Sequence, residues 1–286
     1  MRIGSAGPVL AVILAACGAQ AASTPHGEAG DAHAATAAHG APAHGDAHAH
    51  PAVAHGANAT PAAHNDGAHW SYNDQAAWAH NADACGAGVE QSPINLSSAA
   101  PVAEVPDLNP RYLPLEGAFV NNGHTLQFAP AANTSVLTIG ADAYNLVQFH
   151  FHSPAEHTLD RRAYPVELHF VHRNSAGQLA VVGVFIEEGA ENPALAALIA
   201  AKPQAQGDAN ATHIALDPTA LLPGDRTYFA YAGSLTTPPC SQGVRWNVLR
   251  TPIQASPAQV AALREALGAS SRHVQAHNQR TVLLGL

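Results

Sequence analysis

Three histidines in two short apolar runs are of a type and spacing that could hold a metal ion. His150 and His152 alternate with phenylalanines in residues 148–152, and His169 lies within residues 166–172. Successive side chains of a strand point to opposite faces, so His150 and His152 share one face and the phenylalanines share the other. If the two runs are neighbouring strands, three imidazoles converge. Three neutral imidazoles with an open fourth position are typical of a catalytic zinc site.

Each run also carries a polar residue two positions before a histidine. Gln148 precedes His150 on the same face, and Glu167 stands in the same relation to His169. Both side chains can accept the ring N–H that a metal leaves free, which would fix the orientation of the imidazole. An H-x-H pattern alone is more often a surface pair or a packed pair, so these polar partners strengthen the metal-site interpretation.

The elements that must position these residues are mostly strands. Short apolar runs alternate with Gly, Pro, Asn and Asp, and only two segments have the capping residue and proline that open a helix. This pattern predicts a mainly β protein of the α+β class, a single domain on a large, mostly antiparallel, twisted central sheet. The predicted strands are 125–128, 135–139, 144–152, 166–173, 179–187, 226–234 and 244–251, and the predicted helices are 194–201 and 258–267.

The first 22 residues predict an export signal. Arg2 supplies a positive start, and a short apolar stretch, too brief to span a bilayer, is followed by small residues. Leu-Ala-Ala-Cys at residues 14–17 resembles a bacterial lipobox, in which Cys17 becomes a lipid-modified N-terminus. The alternative is cleavage after Ala21, which gives a soluble product. Both interpretations predict an exported, periplasmic protein, and the first adds a membrane anchor.

Residues 23–68 differ in composition from the rest of the chain. They are rich in Ala, His and Gly, contain no aromatic side chain, and have Val53 as their one β-branched aliphatic residue. Such a segment cannot bury enough apolar surface to offset the entropy of ordering, which predicts a disordered linker. Residues 69–286 are then the folded domain. The formal net charge of −9, with one lysine and scattered arginines, argues against a nucleic-acid partner.

Cysteine usage agrees with export. Of the three cysteines, Cys17 is either lipidated or removed, which leaves Cys85 and Cys240. In an oxidising compartment these two most simply form one disulfide. Closing so long a loop would stabilise the fold by about 4–5 kcal/mol in the chain-entropy account. The alternative is a pair of free, buried thiols.

Seven motifs along the folded region occur in the order of one known family. They are HWSY at 69–72, QSPI at 91–94, NNGH at 121–124, QFHFH at 148–152, EH at 156–157, ELHFVH at 167–172 and SLTTPPC at 234–240. Together they resemble an α-class carbonic anhydrase of the bacterial, exported type, over residues 69–286.

The resemblance implies a zinc enzyme. His150, His152 and His169 would bind Zn²⁺, with water or hydroxide as the fourth ligand. The zinc-bound hydroxide would attack carbon dioxide to give bicarbonate and a proton, reversibly. The groups expected to orient the three rings are Gln148, Glu167 and, through its backbone carbonyl, Asn278.

The resemblance also assigns the residues around the substrate. Thr236 would donate its hydroxyl proton to Glu156 and therefore accept from the hydroxide, which aims a lone pair at the substrate carbon. Thr237 would contact bicarbonate. Carbon dioxide is apolar, so its pocket should be apolar as well. The matching residues, which could equally be ordinary core, are Val171, Val181, Leu235, Val244 and Trp246.

A proton must also leave the site, and histidine suits this role because its usual pKa is near 6.5. His124 matches the family's proton shuttle. His157 and His172 are not expected to bind zinc: His157 is expected to be a buried structural histidine, and His172 lies on the opposite face of its strand from His169. The residues expected to order the intervening waters are Tyr72, Asn122 and Gln127.

The histidines of the linker leave a second function class open. Nine histidines occur from His26 to His69, eight of them in the linker, so the alternative to a lyase is a periplasmic metal-buffering protein. The expected partners are carbon dioxide and bicarbonate, and the sequence leaves a homodimer open.

Overall fold

The computed structural model describes residues 70–285. The predicted export signal over 1–22, with Cys17, and the predicted linker over 23–68 lie outside the described residues. No helix of the described part is long and apolar enough to cross a membrane.

The strands are β1 Asn95–Leu96, β2 Leu108–Arg111, β3 Leu115–Asn121, β4 Leu126–Pro130, β5 Val136–Ile139, β6 Asp142–His152, β7 Thr158–Leu159, β8 Arg162–Ala163, β9 Val166–Arg173, β10 Leu179–Glu188, β11 Thr212–Leu216, β12 Tyr228–Ser234, β13 Gln242–Ala255 and β14 Leu283–Gly285.

Two helices match those predicted from capping residues. In the first, the Asn192 side chain accepts from the first backbone N–H groups; in the second, Ser256 and Gln259 form a capping box. The α-helices are α1 Trp78–Asn81, α2 Asp83–Ala87, α3 Pro193–Ala200 and α4 Pro257–Leu267, and the 3₁₀ helices are Tyr72–Ala77, Asp208–Asn210 and Pro218–Leu221.

An 11-stranded sheet carries the three histidines. Its main path runs β11-β3-β4-β6-β9-β10-β13-β12-β14, with β5 paired to β6 and β2 to β5, while β1, β7 and β8 form a small separate sheet. Within the large sheet the pairs are antiparallel except for β10 with β13, which are parallel. The predicted fold class, a large and mostly antiparallel sheet with few helices, is confirmed.

Strand β6 contains an irregularity that changes which residues face the core. Leu146 lies opposite His172, but Gln148 lies opposite Val171, so β6 has one extra residue at this point. Before the irregularity, the even-numbered Tyr144 and Leu146 are buried in an apolar cluster on one side of the sheet. After it, the odd-numbered Phe149 and Phe151 are buried in that same cluster. The even-numbered residues from Gln148 onward therefore face the other side of the sheet.

Apolar residues pack on both sides of the sheet. The larger cluster contains Phe149, Phe151 and Phe170, and the smaller one contains Val181 and Trp246 on the side of the histidines. Full burial of a side chain of this size stabilises the fold by about 1.5–3 kcal/mol. The rigid layer behind β6 and β9 thus fixes the backbone from which the histidines project.

The predicted disulfide is present. Cys85 in α2 and Cys240 are joined with an S–S distance of 2.07 Å. The bond links the N-terminal helices to the segment that follows β12.

Several strands were not predicted from sequence. Pro110 lies in β2, and proline normally argues against a strand. Gly117 interrupts the apolar pattern of β3, and glycine is required there because a Cβ would lie 2.3 Å from the Ala129 carbonyl oxygen. The strand β11 is short and only partly buried.

Candidate metal centre

The pairing of β6 with β9 brings the three histidines together. His150 lies directly opposite His169 in this antiparallel pair, and His152 follows on the same face. The ring centroids are 4.8 Å apart for His150 and His152, 5.3 Å for His150 and His169, and 4.6 Å for His152 and His169. One nitrogen from each ring lies within 4.8 Å of the others, which is a spacing that can hold a metal ion.

Each ring uses one nitrogen in a hydrogen bond that fixes its orientation. His150 Nδ1 donates to Gln148 Oε1 at 2.8 Å, and His169 Nε2 donates to Glu167 Oε1 at 2.9 Å. His152 Nδ1 donates to the Ser270 carbonyl at 2.6 Å. The candidate ligand atoms are therefore Nε2 of His150, Nε2 of His152 and Nδ1 of His169.

The prediction that the Asn278 carbonyl accepts a hydrogen bond from His152 is wrong. Asn278 lies in an exposed turn with a φ of 48°, and its side chain donates to the Val89 carbonyl at 2.9 Å. Ser270 lies next to the end of β6 because it exchanges two backbone-anchored hydrogen bonds with Ser153. The acceptor is a backbone carbonyl, which every residue type carries, so no side-chain pattern could have identified Ser270.

The surroundings favour the neutral form of all three imidazoles. Desolvation by burial, followed by the effect of His152 and His169, holds the pKa of His150 well below its usual value. Burial lowers the pKa of His152 to about 4 and also lowers the pKa of His169. Neutral imidazole is the form that ligates a metal, so the site has ligands ready at neutral pH.

Two buried atoms at the centre fit a bound cation. His152 Nε2 and Glu156 Oε2 are 3.5 Å apart, and neither has a hydrogen-bond partner in the described part of the chain. A buried polar atom left without a partner costs about 1–3 kcal/mol. A metal ion ligated by the three histidines would satisfy His152 Nε2, and a hydroxyl or water beside it could satisfy Glu156 Oε2. The residues present therefore fit a three-histidine metal site.

Glu156 lies against the histidines and is held by the backbone. Its Oε1 accepts from the Arg272 N–H at 2.8 Å, and its Oε2 is 3.9 Å from His169 Nδ1. Burial raises the pKa of Glu156 to about 7, while His169, the Arg272 N–H and the nearby Thr236 side chain oppose the shift. Thr236 is itself buried, and its predicted hydrogen bond to Glu156 stays a prediction.

Glu167 connects the ligand His169 to a second buried histidine. Its Oε1 accepts from His157 Nδ1 at 2.8 Å, and its Oε2 accepts from the backbone N–H groups of Glu156 and His157. Burial alone would raise the pKa of Glu167, but His157 and His169 hold it well below its usual value. The Tyr231 hydroxyl, 2.7 Å from His157 Nε2, extends this network to Ser92 at 2.9 Å. Neither Tyr231 nor Ser92 is among the residues predicted for the site.

An apolar wall lies beside the histidines. The Trp246 ring centroid is 4.9 Å from that of His169, and the Trp246 Nε1 donates to the Ser234 carbonyl. Thr237 is half-buried and accepts from Cys240 N at 2.8 Å, which closes the turn after Thr236. The five residues predicted for the pocket all belong to or pack against the smaller apolar cluster: Val171, Val181, Leu235, Val244 and Trp246.

His124 is partly exposed and has aromatic neighbours. Its ring is stacked on Trp70, with centroids 3.9 Å apart, and Tyr72 is 6.4 Å away. Asn122 Oδ1 accepts from the backbone N–H groups of His124 and Thr125, so Asn122 shapes the turn. Gln127 lies opposite His150 across the pairing of β4 with β6. Tyr72 and Asn122 therefore lie close to His124, and Gln127 lies next to the ligand strand β6.

Comparison with known proteins gives a consistent result. A family model described as eukaryotic-type carbonic anhydrase matches residues 73–284. A carbonic anhydrase of Nostoc sp. is 40% identical over 210 residues, which cover 70% of this chain and 77% of that protein. A carbonic anhydrase of Klebsiella pneumoniae is 39% identical over 75% of this chain and 90% of the relative.

Solved structures extend the similarity to the fold. The α-carbonic anhydrase of Thermovibrio ammonificans, in complex with the inhibitor sulfanilamide, superposes with a TM-score of 0.73 at 38% identity, covering 76% of this chain and 99% of that one. The α-carbonic anhydrase of Photobacterium profundum gives a TM-score of 0.71 at 39% identity, covering 75% and 100%. The chain therefore belongs to the eukaryotic-type carbonic anhydrase family and is an enzyme of that family.

Proposed function

We propose that this enzyme catalyses the zinc-dependent, reversible hydration of carbon dioxide to bicarbonate and a proton. The observation that carries the proposal is the convergence of three imidazoles, each oriented by its own acceptor, together with the buried His152 Nε2, which has no hydrogen-bond partner in the described part of the chain. Zinc bound by His150, His152 and His169 would supply a nucleophile at neutral pH by lowering the pKa of a bound water to about 7.

Thr236 and Glu156 would orient the attacking oxygen. A hydroxyl that donates its one proton to a carboxylate has only lone pairs left for its other neighbour. Thr236, donating to Glu156, must then accept from the attacking oxygen, which turns that oxygen's lone pair toward the substrate carbon. The Thr236 backbone N–H and the Thr237 side chain are suited to hold the oxygens of bicarbonate.

The apolar wall would bind carbon dioxide. The substrate has no charge, so an apolar surface binds it without having to replace a strong hydration shell. Trp246 and Val181 are buried beside the histidines, and Val171 shares the face of His169 on β9. The same wall would release charged bicarbonate, because burying an anion against apolar groups is unfavourable.

His124 would carry the released proton to the solvent. It is half-buried, so one side can receive a proton through ordered water while the other reaches bulk buffer. Tyr72, Asn122 and Gln127 would order the water molecules between His124 and the ligands, and each carries polar atoms that can hydrogen-bond water. Transfer through water is needed because the shuttle is not itself a ligand.

A stopped-flow assay of carbon dioxide hydration tests the proposal. The zinc-loaded protein should be active, dialysis against a chelator should abolish activity, and added zinc should restore it. Sulfanilamide should inhibit, as expected from the inhibitor complex of the Thermovibrio ammonificans relative. A metal-replete protein with no hydration activity would contradict the proposed function.

We also propose that the enzyme is exported to the periplasm. The support is the sequence of residues 1–22 and the Cys85–Cys240 disulfide, which is stable in oxidising compartments. The mass of the mature N-terminus distinguishes a lipid-modified Cys17 from a soluble chain starting at Ala22. The metal-buffering alternative involves residues outside the described part, and family membership favours the enzyme.

A further inference from the structure

We propose that Gln75 is a positioning residue for Glu156, acting through the peptide bond between Ser271 and Arg272. The inference rests on the proposed function, because Glu156 matters to the reaction only if Thr236 orients the attacking oxygen. Gln75 belongs to the 3₁₀ helix Tyr72–Ala77 and is not among the residues predicted for the site.

Both N–H donors and the oxygen of the Gln75 amide make hydrogen bonds. Its Nε2 donates to the Ser271 carbonyl at 2.9 Å and to the Tyr72 carbonyl at 3.2 Å. Its Oε1 accepts from the His273 N–H at 2.8 Å. The amide therefore pairs with Ser271 and His273 as a neighbouring strand would, although residues 270–277 belong to no helix or strand.

The bond to Ser271 reaches Glu156 through one planar group. The Ser271–Arg272 peptide bond is trans, so its carbonyl and its N–H point in opposite directions. The carbonyl accepts from Gln75, and the N–H donates to Glu156 Oε1 at 2.8 Å. Gln75 and Glu156 thus fix the same peptide plane from opposite sides, and the two hydrogen bonds polarise each other.

The position of this segment matters to two groups of the centre. Ser270, one residue earlier, supplies the carbonyl that accepts from His152 Nδ1 at 2.6 Å. Arg272 is tied to the N-terminal part by donating its side chain to the Ser92 carbonyl and to Gln91 Oε1, both at 2.8 Å. These bonds anchor the Arg272 side chain, but only Gln75 holds the Ser271 carbonyl among the described contacts. Without Gln75, the peptide plane can rotate and carry the Arg272 N–H away from Glu156.

Four substitutions test the inference. Gln75→Met removes both functions of the amide, Gln75→Glu keeps only an acceptor, and Gln75→Lys keeps only a donor. The matched control is Gln259→Met. Gln259 also makes three hydrogen bonds that join two segments, Asn192 and Ser256, but these lie at the start of α3 and α4.

With zinc-loaded, folded protein, Gln75→Met and Gln75→Glu should lower kcat/KM for hydration about tenfold, which corresponds to the net contribution of one hydrogen bond. Gln75→Lys should retain more activity than Gln75→Glu, because it can still donate to the Ser271 carbonyl. Gln259→Met should lower the melting temperature yet keep the wild-type kcat/KM. In NMR spectra, the Arg272 amide proton should move upfield in Gln75→Met and stay in place in Gln259→Met.

Two outcomes would overturn the inference: an unchanged kcat/KM and Arg272 amide shift in Gln75→Met, or equal losses in the Lys and Glu variants. If the wild-type enzyme itself fails to hydrate carbon dioxide, the proposed function fails. The Arg272 amide shift still decides whether Gln75 controls the peptide in that case, because the shift does not depend on turnover.

Discussion

Five histidines on and beside β6 and β9 form two groups that differ in how the protein uses their ring nitrogens. His150, His152 and His169 each make one orienting hydrogen bond, to Gln148, Ser270 and Glu167 respectively.

In the second group, His157 and His172, both ring nitrogens make hydrogen bonds within the protein. His157 bonds Glu167 and Tyr231, and His172 bonds Tyr112 at 2.8 Å and the Ala180 carbonyl at 3.2 Å.

The difference shows that burial does not make a histidine a ligand. His169 and His172 lie three residues apart on β9 and are both buried, yet they face opposite sides of the sheet. Both ring nitrogens of His172 have a protein partner, because Nδ1 donates to the Ala180 carbonyl and Nε2 accepts from the Tyr112 hydroxyl. In His169, Nδ1 makes no such bond and is the candidate ligand atom.

The largest expected effect comes from removing a ligand. His152→Ala should reduce zinc from about one ion per chain to almost none, because three protein ligands are the usual minimum of a catalytic zinc site. Hydration activity should disappear with the zinc. Metal analysis after dialysis and a stopped-flow assay measure both.

His172→Gln is the control for this comparison. It should keep both zinc and activity and lose only stability, by about 1–3 kcal/mol for the disturbed buried hydrogen bonds. Loss of zinc from His172→Gln, or retention of zinc by His152→Ala, would remove the distinction between the two groups.

Glu167 is the residue that the two groups share, so Glu167→Gln should have the next largest effect. An amide offers one acceptor oxygen where the carboxylate serves His157, His169 and two backbone N–H groups, and its NH₂ would face a donor. Zinc affinity should fall about 10–100-fold. Competition with a chromogenic chelator measures it, and an affinity equal to that of the wild type would contradict the role of Glu167 in orienting His169.

His124 lies outside both groups, in the turn between β3 and β4, and its substitution should have a smaller, buffer-dependent effect. His124→Ala should lower turnover about tenfold in dilute buffer, less than a usual general-acid contribution because water and buffer also accept protons. Added imidazole should restore the rate. The control His213→Ala removes an exposed histidine of β11 and should change nothing. A rate in His124→Ala that is independent of buffer would contradict the shuttle.

The smallest effect is on stability alone. Burial lowers the pKa of His172 from 6.5 to about 3. Between these pH values the unfolded chain binds the proton and the folded chain does not, so stability falls as the pH is lowered from about 6.5. This group contributes up to about 1.4 kcal/mol per pH unit. In metal-free protein, urea unfolding of His172→Gln should show a shallower acid dependence than the wild type, and parallel curves would contradict the assignment.

How much of this could be predicted from sequence depended on whether a side chain or the backbone carries the interaction. His150, His152, Gln148 and Glu167 are side chains spaced at the strand period, so their convergence followed once β6 and β9 were taken as neighbours. Ser270 acts through a carbonyl in a segment without secondary structure, and no residue pattern marks it. Asn278 was expected in its place, because counting along an irregular segment gives no register.

The strands showed the same limit. Those with an unbroken apolar pattern, such as β9 and β10, were predicted nearly to the residue. The strand β3 was missed because Gly117 is needed for close backbone approach and therefore interrupts the pattern.

The extra residue in β6 reverses, part-way along the strand, which of the alternating side chains face the large apolar cluster. Upstream of Val147 the even-numbered side chains fill the large apolar cluster, and downstream the even-numbered ones are Gln148, His150 and His152. A regular strand would have to expose Tyr144 and Leu146 or place the histidines among phenylalanines. A single inserted residue thus lets one continuous strand serve as structural core over its first half and as a source of ligands over its second.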